Sequence, residues 1–266
     1  MLAAGGVLDR IVEAKAIRLA ETKRNVALEQ LMAQRSARAR SSFAETIAKP
    51  ERVNIIAEIK HRSPSKGIIR EDFNPLSIAE SYEQAGAAAM SVLAEEDFFG
   101  GSLDHLRSIG QRLNTPLLRK DFIFDEYQIH ESVAAGADAV LLIVAVLCDE
   151  LLARLIELAN QAGLDALVEV HTDDEMQRAT SSGARIIGVN NRDLTTFAVD
   201  LNTSHRLAKL APAEAILVSE SGIKTGEDIR NLKSAGFSGF LIGEHFMRAR
   251  NPGDALRRLL ADASES

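Results

Sequence analysis

Glu58 and Lys60 sit two residues apart in Asn54-Ile-Ile-Ala-Glu-Ile-Lys60, an apolar run that otherwise reads as a buried β-strand. Alternation puts both on one face with Ile56, while Ile55, Ala57 and Ile59 form the opposite face. Lys120 closes a second apolar run and shares a face with Leu118; Glu169 shares a face with Leu167 in a third. A charge in a packed strand is costly unless it is paired or used. Two ammonium groups and two carboxylates around one point would shift each other's pKa values and suit acid–base chemistry. Arg119 and Asp121 have the other parity and are expected to face outward as structural residues.

Polar residues also gather where other runs end. Asn190-Asn-Arg192-Asp193 follows one run, and Ser219-Glu-Ser221-Gly222 closes another, whereas the starts of the runs are apolar or small. Ser221-Gly222 and Gly243-Glu244 have the placement and the glycines of a phosphate cradle made of backbone N–H groups. The six histidines show no two-ligand spacing with a carboxylate, so no metal site is expected. His171 is expected to support the site or lie on the surface, and Cys148 to be a packing residue.

These residues need elements to hold them. Apolar runs recur at Asn54–Lys60, Ala88–Ala94, Pro116–Lys120, Ala139–Val146, Ala166–Val170, Ile186–Asn190, Ala215–Ser219 and Gly239–Gly243. Their centres lie roughly 20–35 residues apart, the repeat of successive βα units. Helices are predicted between them, at Pro75–Ala85, Leu103–Arg112, Glu126–Ala135, Asp149–Ala162, Thr172–Ser181, Leu201–Leu210, Thr225–Ala235 and Asp254–Ala261, several followed by a glycine that stops the helix. Eight such units predict an α/β fold, a (β/α)₈ barrel whose active site lies at the C-terminal ends of the strands. A doubly wound sheet is the alternative; it usually has fewer strands and a Gly-rich turn after the first, where this chain has His-Arg-Ser-Pro-Ser-Lys-Gly.

Residues 7–40 read as helical, with Leu8, Ile11, Val12, Ile17, Leu19 and Ala20 at helical spacing, Leu28, Leu31 and Met32 extending the pattern, and a basic end at Arg35, Arg38 and Arg40. The expected organisation is one barrel domain over 1–266, with residues 1–50 as an N-terminal helical extension. The chain has 266 residues, 46% hydrophobic, with a net charge of −7, one cysteine and no tryptophan. The acidic balance argues against nucleic acid as a partner, and a lone cysteine against a disulfide framework. No apolar stretch approaches the ~18 residues of a membrane span, and no signal-peptide pattern is present. A soluble, cytoplasmic enzyme is expected.

In combination the motifs resemble the indole-3-glycerol phosphate synthase family. The resemblance rests on Ile56-Ala-Glu58-Ile-Lys60 with Ser63-Pro64-Ser65, Ser91-Val-Leu-Ala-Glu95 with Phe99-Gly-Gly101-Ser102, and Arg119-Lys120-Asp121-Phe122. It continues through Ala139-Val-Leu-Leu-Ile143, Leu167-Val-Glu169-Val, Gly188-Val-Asn190-Asn-Arg192-Asp193-Leu194, Ser219-Glu-Ser221-Gly222-Ile and Phe240-Leu-Ile-Gly243, in that order. It implies a (β/α)₈ barrel with a helical extension, and the closure of 1-(2-carboxyphenylamino)-1-deoxyribulose 5-phosphate to indole-3-glycerol phosphate with loss of CO₂ and water, in tryptophan biosynthesis. It also implies Lys120 as general acid, Glu169 as its acid–base partner, and Lys60 and Glu58 as positioning or catalytic charges. Asn190 and Arg192 would contact the substrate, and Ser221, Gly222, Gly243 and Glu244 would cradle the phosphate with Ser63 nearby. Some family members carry Ser at the position of Glu244; here only the backbone N–H is expected to bind, with the side chain turned away.

The chemistry fits these residues. The aromatic carbon bearing the carboxylate attacks a ketone, an ammonium stabilises or protonates the alkoxide, and the resulting iminium accepts the electrons released by decarboxylation, so no cofactor is expected. Phe99, Phe122, Leu118 and Leu141 are candidates for the walls of the aromatic pocket, the two leucines equally for barrel core. A monomer or weak homodimer is expected. Two rival readings are a sugar-phosphate isomerase on the same barrel, which needs one acid and one base rather than four charges, and a non-catalytic phosphate sensor, which needs neither.

Overall fold

The computed structural model describes residues 6–34 and 42–264. Among them, parallel strands β1 (Asn54–Ile59), β2 (Ala89–Leu93), β3 (Leu117–Lys120), β4 (Ala139–Ile143), β5 (Asp165–Val170), β6 (Ile186–Asn190), β7 (Ile216–Glu220) and β8 (Phe237–Ile242) pair in sequence order and close into a barrel. Closure is made by β8 against β1, with Asn54 opposite Gly239 and Ala57 opposite Ile242. This is the predicted (β/α)₈ barrel. The expected strand 139–146 stops at Ile143, and Val144–Val146 turn as a short 3₁₀ segment. A small antiparallel ladder within the first βα loop, Arg62–Ser63 against Gly67–Ile68, has no counterpart in the sequence reading.

Among the described residues three helices precede the barrel: α1 (Gly6–Asn25), α2 (Leu28–Ala33) and α3 (Phe43–Ile47). The outer ring contains α4 (Pro75–Ala85), α5 (Leu103–Gly110), α6 (Glu126–Ala135), α7 (Asp149–Gln161), α8 (Asp173–Ser181), α9 (Asn202–Leu207), α10 (Gly226–Ser234) and α12 (Pro252–Ser264), with the short α11 (Glu244–Met247) following β8. Side chains fix where several of them begin: Asn74, Asp125, Thr172 and Thr225 each accept a backbone N–H of the first turn. The glycines expected to stop helices, at 86, 136, 163, 183 and 236, all have positive φ.

The extension covers both ends of the barrel. Phe43 and Ile47 of α3 are fully buried at the N-terminal end, where Asp165 of β5 accepts from the Ala44 N–H at 2.9 Å and Asn54 of β1 donates to the Ile47 carbonyl at 3.0 Å. α1 lies over the opposite end and buries Leu8, Ile11, Lys15 and Leu19, a 3–4–4 spacing that forms one stripe. Ile17, read from sequence as part of the apolar face, is 66% exposed, and the buried position is taken by Lys15. Its ammonium reaches Asp121 just beyond β3 at 2.9 Å and Glu96 beyond β2 at 3.1 Å. Leu28 and Met32, also read as apolar face, are exposed beside buried Leu31. The basic residues Arg35, Arg38 and Arg40 lie outside the described residues.

The outward parity of Arg119 and Asp121 holds. Arg119 is fully buried between β3 and α6, paired with Asp121 at 2.8 Å and Glu131 at 2.7 Å, and donating to the Gln128 carbonyl and the Ser132 hydroxyl. Lys15 joins this network through Asp121. Replacing it, as Lys15→Met, leaves Asp121 with Arg119 but removes two charge-assisted bonds. Urea unfolding should show a loss of about 1–3 kcal/mol, and limited proteolysis should cut faster within α1.

Candidate active site

Each catalytic candidate reaches the mouth from the C-terminal end of its own strand. Lys120, at the end of β3, extends its ammonium to Glu169 of β5 at 2.8 Å. The same nitrogen lies 2.5 Å from Glu220, the last residue of β7. Asn190, ending β6, donates to the other Glu169 oxygen at 3.3 Å. Glu58 of β1 pairs with Lys60 immediately beyond it. Glu58, Glu169 and Glu220 are each under 5% exposed, so these charges act in a poorly solvated space.

Glu220 is the group that sequence reasoning missed. The sequence reading places it among the polar residues at the end of the seventh strand but assigns it neither a face nor a role. In the structure Glu220 continues β7, and the parity that turns Val218 inward turns it inward too. His171 is not on the surface. Its ring is mostly buried, with Nδ1 3.1 Å from Glu175 and Nε2 3.4 Å from Glu169. Burial disfavours its charge, but the bond to Glu175 and the charges of Glu169, Glu175 and Glu220 raise its pKa.

Proton affinities diverge around Lys120. Burial would raise Glu169, yet the Lys120 charge, the His171 ring and the bonds from Lys120 and Asn190 hold it at about 2. For Glu220, burial together with the charges of Glu169 and Glu58 outweighs the pull of Lys120 and pushes it up to about 7. Lys120 itself, which burial would lower, is raised by Glu169, Glu220 and Glu58. The cluster titrates as a unit. Near neutrality Glu169 is ionised and Lys120 an ammonium, while Glu220 titrates in that same range, a separation of proton affinities that acid–base chemistry uses.

Two glycines make room for the carboxylates. A Cβ on Gly188 of β6 would stand 2.2 Å from the Glu220 Oε1, and one on Gly243 after β8 would stand 2.1 Å from the Glu58 Oε1. Gly243 is read from the sequence as letting the chain approach an anion; in the structure its missing Cβ also leaves room for the Glu58 carboxylate.

The rim is built for an anion. Ser221 and Gly222 have φ of +67° and +88°, which turns the chain into the mouth after β7. Gly243 and Glu244 face the same space from the end of β8, and Ser63 from the first βα loop. The Glu244 carboxylate is engaged by Arg248 at 3.0 Å and Arg192 at 3.4 Å, so two guanidinium groups take up its charge. Lys66, Lys224 and Arg248 add cations that the sequence reading did not single out. Apolar walls come from Phe99 and Phe122, with ring centroids 6.1 Å apart, and from Leu141. Leu118 is buried in the core instead. Leu8 and Ile11 of α1 complete the wall, so the extension is part of the site. Together these residues enclose about 920 Å³, within the usual range for a small-molecule site.

Fold and site define a barrel protein with a deep cavity at the C-terminal ends of its strands, lined by paired charges and phenylalanines, where barrel enzymes keep their active sites. The indole-3-glycerol phosphate synthase family model matches residues 8–259. The chain is 44% identical to an indole-3-glycerol phosphate synthase of Lachnoclostridium phytofermentans, covering 95% of this chain and 98% of the relative. It is 46% identical to one of Acetivibrio thermocellus, covering 96% and 99%. The barrel alone is shared with 3-hexulose-6-phosphate synthase of Salmonella typhimurium, with a TM-score of 0.63 at 13% identity over 79% of this chain and 97% of that one. The chain belongs to the indole-3-glycerol phosphate synthase family, and it is an enzyme of that lyase class.

Gly188→Ala should force the Glu220 carboxylate away from Lys120 while the barrel still closes. Steady-state kinetics should show turnover reduced about 10- to 100-fold, with KM moving much less.

Proposed function

We propose that this chain closes 1-(2-carboxyphenylamino)-1-deoxyribulose 5-phosphate to indole-3-glycerol phosphate, releasing CO₂ and water. The observation that carries the reading is the Lys120 ammonium, held between the Glu169 and Glu220 carboxyl groups at the mouth of a cavity with a cationic rim and a phenylalanine wall.

Ser221, Gly222, Gly243, the Glu244 N–H, Arg192 and Ser63 hold the phosphate end, while Phe99, Phe122 and Leu141 hold the benzene ring. The ring carbon bearing the carboxylate attacks the ketone. As that C–C bond forms, Lys120 stabilises the alkoxide and passes it a proton, which Glu220 at 2.5 Å can replace. Lys60, paired with Glu58, holds the substrate carboxylate until the C–C bond to it breaks. The released electron pair neutralises the iminium, and CO₂ leaves. Dehydration then needs a proton for the departing hydroxyl and a base for the carbon beside the ring nitrogen. Lys120, its proton restored by Glu220, supplies the first, and Glu169, oriented by Asn190, is the second; the proton Glu169 gains passes back to Lys120 at 2.8 Å, and solvent returns one proton to Glu220.

A monomer or weak homodimer is the active form in this reading. α1 lines the same cavity as the strand ends, which supports residues 1–50 as an extension of a single domain over 1–266. A cytoplasmic location belongs to the same reading, since the substrate is a phosphorylated intermediate of amino-acid synthesis.

Lys120→Met should abolish indole fluorescence from the ribulose substrate while the variant still binds a phosphate-bearing product analogue; near-normal turnover would remove Lys120 as the acid. Among the described residues no group of three His, Cys, Asp or Glu is arranged for a metal, and the Lys120 ammonium already sits where a cation would be needed. Chelator treatment should leave the rate unchanged. Because Glu220 holds its proton up to about 7, kcat/KM should fall as pH rises through that value. Glu220→Gln, which cannot titrate, should be slower and lack that limb; persistence of the limb would assign it to another group.

A further inference from the structure

Asn191, next to the substrate-facing Asn190, does not reach the cavity; it is buried behind it, 2% exposed. Its amide nitrogen donates toward the carbonyls of Glu220 at 2.9 Å and Ser221 at 3.1 Å, and toward the Ser219 hydroxyl at 3.0 Å. Its side-chain oxygen accepts from the backbone N–H of Ser204 at 3.0 Å and from the Ser204 hydroxyl at 2.8 Å. The Ser204 and Ser219 hydroxyls, 2.9 Å apart and both fully buried, complete the network. The backbone N–H of Asn191 also donates to the Glu220 carbonyl at 2.9 Å. The bonds of one amide therefore converge on the two peptides at which β7 ends.

Those peptides carry an unfavourable conformation. Ser221 and Phe197 are the non-glycine residues with positive φ among the described residues. A serine in the left-handed region persists only where its surroundings fix it. Here the fixing group is the Asn191 amide. What it fixes is the turn that aims the Glu220 side chain at Lys120 on one side and presents Ser221 and Gly222 to the mouth on the other.

We infer that Asn191, locked by Ser204, is a positioning residue that holds the left-handed Ser221 turn and so sets the acid Glu220 and the anion cradle at once. The inference rests on the functional reading given above for Glu220 and the Ser221–Gly222 turn. A buried amide that only stabilised the fold would affect melting alone. One that positions the turn must affect phosphate affinity and proton transfer together.

Asn191→Asp keeps the shape and the acceptor for Ser204 but loses the amide donor. In the variant that still melts cooperatively above the assay temperature, kcat should fall at least about 10-fold and the Ki of inorganic phosphate should rise by a similar factor. The alkaline limb near pH 7 should also shift. Ser221→Gly, which removes the cost of the left-handed φ, should recover part of the lost phosphate affinity when added to Asn191→Asp. If Asn191→Asp does not fold, Ser204→Ala should show the same changes at about 3-fold. Lower melting with kcat, Ki and pH profile unchanged would overturn the inference. If the wild-type enzyme neither turns over the ribulose substrate nor is inhibited by phosphate, the functional reading has failed. The crystal structure of Asn191→Asp then decides the inference: Ser221 leaving positive φ supports it, and Ser221 retaining that φ overturns it.

Discussion

The Lys120 ammonium lies between two buried carboxylates, and much of the barrel mouth is arranged around that contact. With both glutamates ionised the trio would carry a net negative charge in a poorly solvated space. Retention of a proton by Glu220 into the neutral range makes it neutral, which is the physical reason the two carboxylates separate so widely in proton affinity. The neighbouring Glu58–Lys60 pair is neutral by itself. The cluster is thus near balance when empty, and an anionic substrate entering it meets ammonium groups whose partners can rearrange. Gly188 and Gly243 allow this density of carboxylates, since a Cβ at either position would collide with one of them.

β3 shows how the fold separates structural from chemical charge. Arg119 and Lys120 are adjacent, and alternation sends them to opposite faces. On the outer face, Arg119 and Lys15 meet Asp121, Glu131 and Glu96, and the guanidinium donates to carboxylates, a hydroxyl and a carbonyl. That network is well satisfied, and within it Asp121 also borders the cavity. On the inner face the pairing leaves one acceptor over: the Glu220 Oε1 is buried without a hydrogen-bond partner among the described residues. A buried carboxyl oxygen left in that condition costs stability, and a proton-transfer site is where such a cost is expected.

The barrel, most element boundaries and the inward charges of β1, β3 and β5 were legible because they depend on local periodicity. Alternation over three residues suffices to turn Glu58 and Lys60 inward and Arg119 outward. Glu220 obeys the same rule and was missed because alternation was followed through strands 1, 3 and 5 but not into the polar end Ser219-Glu-Ser221, which was read for its anion-binding turn. Lys15 was missed for a different reason. It completes a helical stripe that a purely apolar pattern leaves with a gap, and its partners Glu96 and Asp121 are some 80 to 105 residues away in sequence. The role of Gly188 could not be read at all, since its neighbour Glu220 becomes close only when two strands pair in the observed register.

The extension ties chemistry to architecture through water. Leu8 and Ile11 put aliphatic surface over the mouth, and excluding water there strengthens the electrostatic interactions of Lys120 with its carboxylate partners. The helix that does this is held unevenly. The ion pairs Arg18–Asp97 and Lys23–Asp125 are largely solvent-exposed and contribute little to its docking. The buried Lys15 and the apolar stripe contribute most. Because Lys15 is bound to Asp121, one residue beyond Lys120, the anchor of the cover and the central ammonium of the site are carried on the same short strand end. A displacement of that strand end would therefore disturb both, which makes the fully buried Arg119 network behind it a requirement of the chemistry as well as of the fold.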